Sequence, residues 1–216
     1  MSIKNKHNRP TVQKPKRWYH KKPDILLDYE VEPLLKEAHN YSFRDYTLIL
    51  FALNTGLRNS ECVGLNIEDV YPHGTIVSIL KLPAEIAKNK KPRSIPLSKN
   101  TKKVLDNYIN NWLRCTGITD TKSPLFNTLR TNNRLSSRDF QHILRKHSIK
   151  SIHRAVFPHM LRHTFATKLL EQSNIKIVQE ILGHSCLQSS QIYLHPSPSE
   201  KIDAVNKLDF AYTRKE

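Results

Sequence analysis

Apolar residues recur along most of this chain at intervals of three and four, the spacing of one face of an α-helix. Leu26, Leu27, Val31, Leu34 and Leu35 open the pattern just after Asp24, with Asp28 placed to cap the turn that follows. Residues 43–54 predict a second helix, whose Leu48-Ile49-Leu50-Phe51-Ala52-Leu53 is apolar nearly all round and so belongs at the centre of the fold. Gly56 breaks it, and a short helix restarts over 59–65. The period then changes. Thr75-Ile76-Val77-Ser78-Ile79 is rich in β-branched residues, Arg93-Ser94-Ile95-Pro96-Leu97 is a second extended run, and a lysine-rich polar stretch over 87–91 separates them. This predicts a small antiparallel hairpin or meander, with Pro92 and Pro96 suited to an edge strand. Helical spacing resumes over about 102–113, 137–147, 158–172, 175–182 and 189–194, and a last short helix is expected over 199–208. The expected class is α+β, mainly α-helical, with a small antiparallel sheet.

Composition narrows the partner. The chain has 216 residues and a formal net charge of +16. That excess points to a polyanion, with nucleic acid first. An anionic membrane is the competing surface, but no apolar run approaches the roughly 18 residues of a spanning helix, and no basic amphipathic helix stands out. No membrane partner is expected. The N-terminus is charged but lacks the apolar core of a secretory signal. Cys62, Cys115 and Cys186 are irregularly spaced without a CxxC pair, which suggests reduced thiols in a cytosol-like compartment. Cys62 and Cys186 read as small buried hydrophobes. Residues 1–22 hold Lys4, Lys6, Arg9, Lys14, Lys16, Arg17, Lys21 and Lys22 with no acid, and Pro10 and Pro15 oppose regular structure. They read equally as a basic arm clamping on DNA, with Trp18 and Tyr19 as anchors, or as a solvated tail. The expected organisation is an arm at 1–22, a catalytic domain at 23–198 and a C-terminal helix or tail at 199–216.

Certain residues stand out for their chemistry. Arg58 lies in Thr55-Gly56-Leu57-Arg58-Asn59-Ser60-Glu61, between a helix-breaking glycine and a new helix start. An arginine beside the free N–H groups of a helix start completes an anion pocket, and Glu61 one turn on is placed to orient its guanidinium. Taken alone, such an arginine is more often a plain surface charge. His159 and Arg162 share a helix face that Pro158 starts. His163 stands at i+4 from His159, a zinc-like spacing. A zincin helix would need Glu where Met160 stands, however, and Arg162 between the histidines disfavours a cation. Asn174 is placed to cap a helix with Ile177, Val178, Ile181 and Leu182 as its buried stripe. Gly183 ends that helix, His184 follows, and Tyr193 stands nine residues beyond. Two arginines, several histidines and one tyrosine suffice to attack a phosphodiester without a metal. Arginines hold the anion, imidazoles move protons and the phenol is the nucleophile.

Three motifs in this order resemble those of the tyrosine recombinases, the phage integrase family. TGLRNSECVGL resembles the first arginine motif, HMLRHTFAT the second, and LGHSCLQSSQIYLH the final segment. The resemblance implies a tyrosine-recombinase catalytic fold, with Arg58 and Arg162 as phosphate-binding catalytic arginines supported by Glu61. It further implies catalytic roles for His159 and His184, a supporting role for His163, and Tyr193 as nucleophile. Aligning KPRSIPL with the strand after the family's hairpin tip places Lys88 at the catalytic lysine position, with Lys90, Lys91 and Lys81 as competitors. Family members commonly carry a separate core-binding domain ahead of the catalytic one, where here only the basic arm stands. The chain is therefore expected to be a minimal member, like the short DNA-inversion recombinases, or a piece of a longer one.

The implied reaction is attack of Tyr193 on a DNA phosphate, giving a 3′-phosphotyrosyl enzyme and a free 5′-hydroxyl. His159 manages the phenol proton and a lysine acts as general acid. The tyrosyl ester keeps the phosphodiester energy, so rejoining requires no cofactor. The expected partners are double-stranded DNA at a specific recombination site, a homotetramer assembled on it, and accessory DNA-bending proteins. Segment 201–208 reads either as docking onto a neighbouring protomer or as packing within its own chain. The expected location is the cytoplasm, at the nucleoid of a prokaryotic or mobile-element host. The alternatives are a type IB topoisomerase, which relaxes DNA without a target site, and a catalytically silent DNA-binding regulator of the same fold.

Overall fold

The computed structural model describes residues 24–128 and 130–183. The arm at 1–22, the helices expected at 189–194 and 199–208, His184, Cys186 and Tyr193 lie outside the described residues. Helices α1 (Asp28–Tyr41) and α2 (Phe43–Thr55) form a hairpin separated only by Ser42. Asp28 does not cap α1 but begins it. The N-cap position is Leu27, whose N–H is accepted by the Glu30 carboxylate at 2.8 Å. Arg154, in the loop after α6, donates Nε–H to the same carboxylate at 2.6 Å and holds its proton affinity below the ordinary value. One glutamate thus closes the start of α1 and ties it to a distant loop.

Helix α2 is central, as its sequence predicts. Leu48, Ile49 and Phe51 are fully inaccessible, and Leu50 and Ala52 nearly so. Each of the buried leucine, isoleucine and phenylalanine side chains contributes roughly 1.5–3 kcal/mol through removal from water. The start of α2 carries a buried polar cluster as well. Asp45 accepts from Arg44 Nε at 2.8 Å and lies 2.8 Å from His147 Nε2 on α6 (Ser137–Ile152). Burial alone would raise the Asp45 carboxyl, but its bond to His147 and the Arg44 charge lower it on balance. This cluster pins α6 to α2. Helix α6 runs on past the stop expected near 147, because His153 supplies the left-handed C-cap (φ 57°) only there.

The short helices α3 (Asn59–Gly64) and α4 (Ile67–Val70) lead to strands β1 (Ile79–Leu82) and β2 (Arg93–Pro96). These pair antiparallel, Ile79 opposite Pro96 and Leu82 opposite Arg93. The β-branched run was expected to form the first strand, but only Ile79 of it pairs. The Val77 N–H bonds the Val70 carbonyl at the end of α4 instead, so pairing begins later. Helix α5 (Lys99–Asn107) starts earlier than expected, because the Ser98 hydroxyl accepts from the Thr101 N–H at 3.2 Å. It continues through a π-helical turn over Tyr108–Leu113. Helices α7 (Pro158–Gln172) and α8 (Ile175–Leu182) stand where the apolar spacing puts them. The molecule is mainly helical with one two-stranded sheet among the described residues. No helix of the described residues is long and apolar enough to cross a membrane.

Candidate active site

Helix α2 ends at Gly56, whose left-handed φ of 61° suits a residue without Cβ. A Cβ there would also lie 2.3 Å from Phe165 Cδ1 on α7, so the close approach of the two elements needs glycine twice over. The chain then straightens through Arg58, the N-cap position of α3. Glu61, one turn in, reaches back and accepts the Arg58 backbone N–H at 2.8 Å on Oε2 and Arg58 Nη1–H at 2.8 Å on Oε1. The motif therefore fixes both the backbone and the guanidinium of Arg58. Asn59 Nδ2 donates to the Ser137 carbonyl at 2.8 Å, which holds the start of α3 against the start of α6.

Glu61 has a second cation, Arg93, which sequence reasoning treated only as part of a strand. Arg93 Nη1 and Nη2 donate to Glu61 Oε1 and Oε2 at 3.0 and 2.7 Å, a fork-to-fork pair. The Arg93 side chain is 7% exposed and that of Glu61 0%. Burial pushes the Glu61 carboxyl up, but the bonds from Arg93 and Arg58 prevail and hold it at about 2, against an ordinary 4.5. Arg93 Nε donates in turn to the Ile181 carbonyl at 2.8 Å, near the end of α8. A signal for this was present. In a strand, Arg93 shares the face of buried Ile95, and an arginine in an apolar phase requires a buried acceptor.

The second arginine converges on the same place. Arg162, on α7, is 8% exposed and donates from Nη1 to the Gly56 carbonyl at 2.6 Å and from Nη2 to the Leu182 carbonyl at 2.8 Å. A cation at the end of α8 complements the negative end of that helix. Gly183, the left-handed C-cap of α8 (φ 64°), packs on Arg93, since a Cβ there would lie 2.9 Å from Arg93 Cδ. Asn174 caps the other end, Oδ1 accepting from the Lys176 and Ile177 N–H groups at 3.0 and 3.1 Å. Of the expected apolar stripe, Val178 and Leu182 are buried and Ile181 is partly so, while Ile177 is 39% exposed. The structure thus joins Arg58, Glu61, Arg93 and Arg162 where α2, α3, β2, α7 and α8 meet. His184 and Tyr193 lie outside the described residues.

The histidines and lysines form the outer part. His159 is exposed and stacks on Phe157 with ring centroids 5.9 Å apart, and its edge meets His163 at 5.9 Å. His163 is half-buried, and burial, then the charges of His159 and Arg162, lower its proton affinity. Lys88 and Lys90 occupy a single 3-10 turn between the strands, with Lys91 just beyond and Lys81 on β1 opposite Ser94. All four are exposed, so burial does not choose among them. Cys62, next to Glu61, is fully buried, and burial together with the Glu61 charge pushes its thiol far above the usual range.

Comparison with known proteins gives the family and the fold. The family model described as "Phage integrase family" matches residues 25–200. A curated tyrosine recombinase of Pseudothermotoga lettingae is 37% identical over 188 residues, which cover 86% of this chain and 61% of that protein. The crystal structure of XerA recombinase superposes with a TM-score of 0.70 at 30% identity, covering 93% of this chain and 68% of that one. XerH site-specific recombinase bound to its difH substrate shares the fold, with a TM-score of 0.69 at 24% identity over 88% of this chain and 55% of that one. The chain spans about three-fifths of the length of the curated relative it matches.

Proposed function

The chain belongs to the phage integrase family, and from that membership we propose that it is the strand-cleaving part of a site-specific DNA recombinase. The observation that carries this reading is the convergence of Arg58 and Arg162. One is locked by a buried carboxylate and the other anchored on the carbonyls of Gly56 and Leu182. Two guanidinium groups held in place before substrate arrives are what a pentavalent phosphate needs, because preorganised positive charge stabilises the negative charge that develops there.

Tyr193 is the nucleophile. A phenol has a free pKa of about 10, so its proton must leave as it attacks. His159, exposed beside the arginine helix, accepts that proton, and His184 donates a further hydrogen bond to the phosphate. Lys88 protonates the leaving 5′-oxygen. The product is a 3′-phosphotyrosyl link, which a hydroxyl from another strand reverses. The +16 charge and the substrate-bound XerH site-specific recombinase of the same fold support double-stranded DNA as the substrate. The catalytic domain is assigned to 23–198, with 1–22 an arm on the duplex.

Assembly is assigned as a tetramer on DNA. A groove of about 450 Å³ between α1, α2 and α7, lined by Val31, Leu35, Leu50, Leu53, Phe165 and Leu169, offers an apolar seat. Its occupant is taken to be segment 201–208 of a neighbouring copy, whose Ile202, Val205 and Leu208 recur at helical spacing.

The test uses nicked suicide duplexes built from the DNA flanking the gene, read on a denaturing gel. A covalent protein–DNA band should appear, vanish in Tyr193→Phe and fall strongly in Arg58→Ala or Arg162→Ala. An adduct unchanged in Tyr193→Phe would show that the nucleophile is assigned wrongly. Relaxation of plasmids with no preferred sequence would favour the topoisomerase alternative. Replacing the bridging 5′-oxygen by sulfur, a leaving group that needs no proton, should restore cleavage to Lys88→Ala and not to Arg58→Ala.

A further inference from the structure

The role of Arg58 as a phosphate clamp contains an electrostatic conflict. Its guanidinium is fixed by Glu61, a full negative charge with no exposed surface, at 2.8 Å. At that separation the carboxylate competes with the phosphate for the same cation, and in a buried setting the competition is strong. Removing every acceptor at this position would release the guanidinium from its fixed orientation. The site therefore needs an acceptor at position 61 and any charge it carries compensated from another side.

Arg93 is placed to do this. It meets both Glu61 oxygens with both terminal nitrogens, at 3.0 and 2.7 Å, and its side chain is 7% exposed. Each Glu61 oxygen accepts two hydrogen bonds, one from Arg58 and one from Arg93. With two guanidinium groups around one carboxylate, the cluster keeps one net positive charge. Arg58 is the more exposed arginine of the two, at 25% against 7%. The same Arg93 side chain donates Nε–H to the Ile181 carbonyl and packs under Gly183, so the charge arrangement is tied to the end of α8.

We propose that Arg93 is a positioning residue that neutralises Glu61 from behind, so that Arg58 stays locked in orientation while its charge remains available to the scissile phosphate. The assignment rests on the strand-cleavage reading above. It predicts a pattern that a packing role would not produce. With Arg93→Gln, the uncompensated carboxylate holds Arg58, and the rate of covalent adduct formation at saturating DNA falls about tenfold or more. Removing the offending charge as well, in Glu61→Gln/Arg93→Gln, should raise that rate again.

Four proteins are compared: wild type, Arg93→Gln, Glu61→Gln and the double variant. They are assayed for adduct formation on the nicked suicide duplex and for the rise in melting temperature caused by inorganic phosphate. Both readouts should fall in Arg93→Gln and recover in the double variant. A double variant no better than Arg93→Gln, or an Arg93→Gln protein that matches wild type, overturns the proposal. If Arg93→Gln does not fold, Arg93→Lys with and without Glu61→Gln carries the same comparison. The phosphate titration needs no target site. Should wild type give no Tyr193-dependent adduct while the titration follows this pattern, the cleavage reading falls and the assignment of Arg93 stands.

Discussion

At the scale of single residues, the site is governed by Glu61. Its carboxyl sits at about 2 in the folded protein against an ordinary 4.5, so the folded state binds its proton less readily than the unfolded chain. The associated stability is fully present above about pH 4.5 and is lost as pH falls towards 2, a contribution on the order of 3 kcal/mol. Urea unfolding of wild type and Glu61→Gln should therefore show a stability gap that narrows by about that amount between pH 5 and pH 2. A gap that does not change with pH would mean that the carboxylate titrates normally. Arg58, Glu61 and the Pro158–Arg162 segment were legible in the sequence because each motif is local. Arg58 and Glu61 lie one helical turn apart, and the turn itself brings them together. For Arg93 the strand phase signalled only that a buried acceptor was needed. That the acceptor is Glu61 was not legible, because it lies 32 positions away and only the fold supplies it.

Among the elements, the glycine stops and the second strand were legible and the limits of the first strand were not. Gly56 and Gly183 end α2 and α8 in the left-handed conformation because the chain must turn there, and composition alone signals that need. Strand limits depend on which carbonyl competes for an N–H. The β-branched run around Val77 lost pairing to α4 despite its propensity. The glycines also allow a controlled experiment. Gly74 (φ 76°) and Gly183 (φ 64°) have similar backbones, but a Cβ at Gly74 meets nothing within 4 Å, whereas one at Gly183 lies 2.9 Å from Arg93 Cδ. Both alanine variants should lose about 1–2 kcal/mol through the left-handed backbone. Only Gly183→Ala should also slow adduct formation, through displacement of Arg93. Equal adduct rates in the two variants would detach the end of α8 from the arginine cluster.

For the whole molecule, the largest signal is charge. On the proposed function, an excess of +16 makes association with DNA an exchange of condensed counterions, so binding should weaken steeply with salt. Each phosphate neutralised by residues 1–22 adds about 0.9 to the slope of log K against log salt. Deleting 1–22 should thus flatten that slope by several units, measured by fluorescence anisotropy on a duplex of any sequence. An unchanged slope would assign the arm to solvent. The helical class and the hairpin were legible at this scale because periodicity is repeated over long stretches. The buried Arg44–Asp45–His147 cluster was not, since its members join through tertiary packing across 102 positions.

Cys62 gives the architecture a built-in clock. Its sulfur is sealed behind the same helical turn that carries Glu61, while Cys115 is open to solvent. A thiol reagent such as 5,5′-dithiobis(2-nitrobenzoic acid) should consume Cys115 at once and reach Cys62 only when that turn lifts away from its neighbours. In a Cys186→Ser background, the slow phase then times the breathing of the arginine–glutamate cluster. Saturating duplex should lengthen it, because a ligand that favours the closed arrangement makes each opening rarer.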